Sequence, residues 1–149
     1  MITRRDITIT VLSVATTFGI TALAAPQSKV MGSVALEWAD VPVQQEEVRA
    51  VRQFFREPTA TLDELELHVT TLQAGTTSHA PHKHPNEELV IIKEGTVEVL
   101  VDGQTKRVGP GSVVFNASNQ MHSLRNVGDG PATYHVINWT SAATPGKAQ

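Results

Sequence analysis

Four side chains able to ligate a metal stand in two separate stretches, and any fold this chain adopts has to bring those stretches together. His82, His84 and Glu88 lie in the run His82-Lys83-His84-Pro85-Asn86-Glu87-Glu88, and His122 follows in Met121-His122-Ser123-Leu124-Arg125-Asn126. In an extended strand alternate residues share a face, so His82 and His84 point the same way. Glu88 comes after a short Pro-Asn turn, and His122 has to arrive from another strand. Glu87 has the opposite parity to Glu88 and is expected to face away from His84. Three neutral imidazoles and one carboxylate suit a single divalent first-row metal ion. The chain has no cysteine, so thiolate ligands, disulfides and a catalytic thiol are all excluded.

The spacing H-x-H-x3-E-x6-G, closed by Gly95, is followed by G-x5-A-x-N-x2-H-x3-N from Gly111 through Ala117, Asn119 and His122 to Asn126. Together these resemble the two signature motifs of the cupin superfamily, over the stretch from Leu62 to Trp139. The resemblance implies an all-β fold: a single cupin β-barrel of the double-stranded β-helix or jelly-roll type, made of two packed antiparallel sheets. It also gives metal-ligand roles to His82, His84, Glu88 and His122. Two departures stand out. Thr76 occupies the usual opening glycine position, with Gly75 one residue earlier, and Ala117 and Asn119 replace the usual proline and glycine of the second motif. Asn tolerates positive φ better than other non-glycine residues, so that turn is expected to survive.

The rest of the chain sets the boundaries. A length of 149 residues fits one domain, and no internal repeat is visible. The formal net charge of -3, with no basic cluster, argues against nucleic acid as a partner. Residues 1–24 have the layout of a bacterial export signal. Arg4-Arg5 precedes an uncharged stretch from Ile7 to Leu23, and Ala22-Leu23-Ala24 forms a small-x-small cleavage site. The paired arginines and the threonine-diluted apolar region are those of a twin-arginine signal. Such a stretch is weak for a membrane span of about 20 residues. The expected location is therefore periplasmic or secreted, with no stable membrane insertion after cleavage. Residues 25–61 are expected to form an arm and the first strands, 62–140 the barrel, and 141–149 a disordered tail.

Alternation predicts short strands. Val34, Leu36 and Trp38 form one candidate, and Val48 to Phe55 a second, although Gln44 to Phe54 also fits a helix face. Glu64 to Leu72 alternates well, which assigns Leu65, Leu67 and Val69 to the core and Glu66, His68 and Thr70 to the opposite, polar face. Further strands are expected at Leu89–Ile92, Val97–Val101, Ser112–Phe115, Met121–Asn126 and Thr133–Trp139. Asp102-Gly103 is a hairpin signal.

Beyond the four ligands, His68 and His79 are the plausible proton carriers. Arg52 and Arg56 are candidates to reach a substrate carboxylate or, more plainly, to pair with Glu57 or Asp63. His135 is expected to pack. On an octahedral ion, four protein ligands leave two open positions and a net charge near +1, which favours a bidentate anionic ligand. The expected cofactor is one divalent metal ion per chain, Mn or Fe first and Ni or Zn next. The function this supports is an exported metal-dependent enzyme acting on a small oxygen-rich, anionic molecule. The reaction is open among oxygenase, decarboxylase, isomerase, lyase and aminohydrolase. The alternative is a non-catalytic periplasmic protein that binds or senses a metal or small ligand. A homodimer is expected, with the Val34–Trp38 arm able to add a strand to a partner's sheet edge.

Overall fold

A computed structural model describes residues 30–146. The expected signal at 1–24, the start of the arm, and residues 147–149 lie outside the described residues. After a short 3-10 turn at Trp38–Asp40 come nine strands: β1 Gln44–Gln45, β2 Arg49–Glu57, β3 Glu64–Leu72, β4 Glu87–Glu94, β5 Val97–Val101, β6 Gln104–Val108, β7 Val113–Asn116, β8 Ser123–Asn126 and β9 Ala132–Thr140. One sheet has the order β1-β2-β3-β9-β4-β7 and the other β6-β5-β8. All pairings are antiparallel. The sheets share one core, with Leu72, Ile92 and Tyr134 from the larger and Val97, Val99 and Leu124 from the smaller. They are not hydrogen-bonded into a closed barrel, but the two-layer antiparallel jelly roll is the fold class expected. Among the described residues no helix is long and apolar enough to cross a membrane.

A further extended segment, residues 76–82, runs along β8. Asn126 N donates to Thr76 O at 2.9 Å, and Ser78 N to Leu124 O at 3.4 Å. At its end His82 and His122 exchange two backbone hydrogen bonds of 3.0 and 2.9 Å. This seam brings the two motif stretches together.

The faces of β3 are reversed from the sequence expectation. Cross-strand register places Glu66, Asn138, Glu88 and Asn116 in one row, and His68, Val136, Val90 and Val114 in the next. Val90, Val114 and Val136 belong to the core between the sheets, so both rows face inward. Leu65, Leu67 and Val69 therefore lie on the outer face. Both faces of this sheet are apolar, and alternation alone cannot say which one meets the second sheet.

The arm covers part of that outer face. Arg52 of β2 and Lys93 of β4 lie 4.6 and 4.7 Å from the centre of the Trp38 ring. Because β3 and β9 separate those strands, the indole spans the outer face above them, where Val69 is 1% exposed. Arg52 also donates to the carbonyls of Trp38 and Val41. The arm is thus bound to its own sheet, and Val34, Leu36 and Trp38 form no strand. The helix considered for Gln44–Phe54 is instead strand, paired along β3 with a bulge between Gln53 and Phe55. Residues 141–146, expected to begin a disordered tail, form a turn in which Thr144 N donates to Ser141 O at 2.9 Å.

Turn chemistry follows the sequence. Asp102 and Gly103 close the β5–β6 hairpin at φ 50 and 72, and Asn119 takes φ 59. Gly95, at φ +84, turns β4 into β5, and a Cβ there would stand 2.7 Å from both Ala132 Cα and Cβ. Asn126 is fully buried. Its amide donates to Leu72 O at 3.0 Å and Gly130 O at 2.9 Å, and its Oδ1 accepts from Gly128 N at 3.0 Å. Gly95→Ala is expected to lower unfolding stability by about 2–4 kcal/mol, through strain and overlap together. Asn126→Ala should cost about 2–3 kcal/mol, because buried backbone groups lose their partners. Urea midpoints at constant m-value would measure both.

Candidate metal centre

The site is assembled from the seam outward. The reciprocal His82–His122 bridge sets two imidazoles side by side, with ring centroids 4.5 Å apart. His84 joins from beyond the bridge, its centroid 4.8 Å from that of His122. Its own carbonyl accepts from Asn119 N at 2.8 Å, so the positive-φ turn of the second motif holds the first motif in place. The donor atoms of His82, His84 and His122 all lie within 4.8 Å of one another.

Each ring is oriented by a backbone carbonyl. Nδ1 of His82 meets Ala80 O at 3.1 Å, that of His84 meets Asn86 O at 3.0 Å, and that of His122 meets Gln120 O at 2.9 Å. A carbonyl only accepts, so each Nδ1 carries the hydrogen and each Nε2 offers a lone pair. His122 is 5% exposed, and its Nε2 is buried with no hydrogen-bond partner. Leaving such an atom unmatched costs about 1–3 kcal/mol. Three lone pairs turned toward one another, one of them orphaned, are the donor set a divalent cation requires.

Glu88 enters from β4. Its carboxylate lies 3.7 Å from His84 Nε2 and 3.9 Å from His122 Nε2, and Asn116 Nδ2 donates to it at 2.9 Å. Glu87 turns to the outer face and accepts from Trp139 Nε1 at 3.1 Å. The parity that separated the two glutamates in the sequence is the geometry of the strand.

Above the cluster a cavity of about 90 Å³ is lined by Val90, Val99, Val114, Leu124 and Val136 together with polar groups. His68 and His79 both line it. His68 Nδ1 lies 3.0 Å from Glu66 Oε1, and that contact, foremost, holds the Glu66 carboxyl below its ordinary range. His79 Nε2 lies 2.8 Å from Arg49 Nη1, so it accepts from the guanidinium. Burial first, then the charges of Arg49 and His82, push His79 below the usual histidine range. His135 lies on the outer face, where burial first and then the charge of Lys93 push it below the usual histidine range.

Arg49, Asn116 and Tyr134 line the cavity without having been singled out in the sequence. Tyr134 is 3% exposed, and burial raises its hydroxyl pKa against hydrogen bonds with Ser78 and Thr70. Cross-strand register sets the direction of Arg49. It pairs with Leu72, an inward residue, whereas Arg52 pairs with Val69 on the outer face. Neither arginine chosen from the sequence reaches the cavity. Arg52 holds the arm, and Arg56 pairs with Glu64 at 3.0 Å and Glu66 at 3.9 Å rather than with Glu57 or Asp63.

Comparison with known proteins agrees with this geometry. A family model described as Cupin domain matches residues 68–138. A curated relative, dimethylsulfoniopropionate lyase DddQ of Ruegeria pomeroyi, is 38% identical over 64 residues, which are 42% of this chain and 31% of that protein. The chain thus spans about a third of the relative's length. Among solved structures, an RmlC-like cupin from Shewanella frigidimarina aligns with TM-score 0.62 at 12% identity, over 75% of this chain and 95% of that one. A predicted oxalate decarboxylase from Thermotoga maritima aligns with TM-score 0.61 at 14% identity, over 72% and 99%. The family model runs from β3 into β9, the solved cupins share the two-sheet fold, and residues 68–138 are a cupin domain.

Proposed function

We propose that this chain is a metal-dependent enzyme acting on a small anionic molecule at the three-histidine, one-glutamate centre. The observation that carries the reading is the orphaned, buried Nε2 of His122, facing two further Nε2 atoms whose tautomers are fixed by carbonyls. His82, His84, Glu88 and His122 would hold the ion. When bound, a divalent ion there supplies a Lewis acid and a template for an anionic donor. Mn or Fe is the first choice and Ni or Zn the next, since an octahedral ion keeps two positions open beside four protein ligands, whereas tetrahedral zinc is filled by them.

The residues around the ion have separable roles. Asn116 restrains Glu88 through its 2.9 Å hydrogen bond, and the valines supply the apolar part of the cavity wall. Glu66 holds the Nδ1 hydrogen of His68, which leaves Nε2 as the atom able to take a proton from a bound molecule. A base oriented by a carboxylate beside an electrophilic centre suits removal of a proton next to a carboxylate. Lyase chemistry, named for the relative in Ruegeria pomeroyi, is the first class to assay. The twin-arginine layout of residues 1–24 supports export of the protein to the periplasm. The outer-face residues Val113 and Phe115, 60% and 48% exposed, support pairing of two copies.

His84→Ala and His122→Ala are expected to lose most bound metal while circular dichroism stays that of the folded sheets, because the core lies on other residues. Glu87→Ala should keep its metal, and Glu88→Ala should bind more weakly. Elemental analysis per chain decides this, and wild-type metal content in both histidine variants would end the metal reading. On a small carboxylate found by screening the metal-restored protein, His68→Gln should lower kcat by about 100-fold or more with metal content unchanged. Equal turnover by that variant would remove His68 from the chemistry.

A further inference from the structure

The cavity has a cationic group that the metal reading does not use. Arg49, at the start of β2, lines the cavity with His79, His82 and His122, and its side chain is only 19% exposed. One nitrogen faces inward, donating to His79 Nε2 at 2.8 Å and Ser78 O at 3.3 Å. The other edge of the fork is taken by Glu46, whose two oxygens accept from Nε at 2.7 Å and Nη2 at 3.2 Å. Glu46 sits three residues earlier in the β1–β2 connection and is itself 45% exposed. Its backbone is anchored separately: Glu46 N donates to Arg49 O at 2.8 Å. The arginine is therefore fixed by His79 and a Ser78 carbonyl on one side and held by a solvent-facing carboxylate on the other. A guanidinium edge that accommodates one carboxylate in bidentate fashion accommodates another, and exchanging an exposed intramolecular partner costs little.

We infer that Arg49 is the recognition group for a second carboxylate of the substrate, and that Glu46 is a displaceable internal stand-in occupying its place. This rests on the metal-centre reading and narrows the substrate class to molecules with two anionic groups. One group meets the ion between His82, His84 and His122, and the other meets the Nε and Nη2 edge of Arg49 that Glu46 now fills. The ring of His79, which Arg49 meets, stands 5.5 Å from that of His82 at their centroids, so the arginine and the metal ligands adjoin through one histidine. His79 accepts from Arg49 and holds the guanidinium at the cavity wall.

The test is calorimetric titration of the purified, manganese-loaded protein with acetate, malonate, succinate and glutarate, with metal content measured alongside. In the wild type at least one dicarboxylate is expected to bind roughly tenfold or more tightly than acetate, as a charge-assisted bidentate pair allows. Arg49→Gln should erase that preference and leave acetate binding and metal content in place. Glu46→Gln removes the competitor, so it should strengthen dicarboxylate binding by about fivefold and leave acetate unchanged. This second variant acts in the gaining direction, which a misfolded protein cannot imitate. Full metal content with a dicarboxylate preference that is indifferent to both substitutions overturns the role of Arg49 alone. A wild type that takes up no metal overturns the metal centre, and this inference with it.

Discussion

Two backbone hydrogen bonds between His82 and His122 govern how the rest of this molecule is arranged. They join the loop after β3 to the residue that leads into β8, stretches far apart in sequence. The same bridge fixes where the two rings leave the backbone. The carbonyls of Ala80 and Gln120 then set each ring's tautomer from two residues away. Short-range backbone geometry thus does most of the preorganisation, and few side chains are needed to support it. Its cost is the unmatched nitrogen on His122, which the surrounding apolar core is large enough to tolerate.

The interior is layered by polarity. Val90, Val114 and Val136 form an apolar row across three strands, and beside it Glu66, Asn138, Glu88 and Asn116 form a polar one. Charges placed between such rows interact more strongly than they would in water. Asn116 holds Glu88 in place, and the His68 hydrogen bond, foremost, keeps the Glu66 carboxyl below its ordinary range. Arg49 contributes the opposite charge at the far side of the same cavity, partly neutralised by Glu46 until an anion arrives.

Much of this was legible in the residues. The limits of β3 at Glu64 and Leu72 follow from its alternation, the Asp102-Gly103 turn from its dipeptide, and the grouping of three histidines from motif spacing. What was not legible has a physical cause in each case. β6 carries no apolar signal because Gln104 to Arg107 are exposed on an edge strand. The helical spacing of Val48, Val51 and Phe54 is overridden by pairing with β3, with the bulge absorbing the mismatch. Arg49 was hidden because its inward direction depends on which face of β3 is inside, and the apolar residues pointed to the wrong one. Leu65, Leu67 and Val69 are apolar for the sake of the arm and the outer surface.

That two-sided apolarity bears on how the sheet finds its alignment. A one-residue slip of β4 would exchange Val90 and Ile92 for Leu89 and Ile91 at nearly equal hydrophobic gain, so greasy contacts discriminate weakly between the two alignments. The slip would also turn Glu88 outward, set Glu87 in its place opposite Asn116, and break the hydrogen bond from Trp139 to Glu87. That bond on the outer face therefore favours the alignment that places Glu88 in the pocket. The position of the inner carboxylate depends in part on a contact made on the opposite side of the sheet.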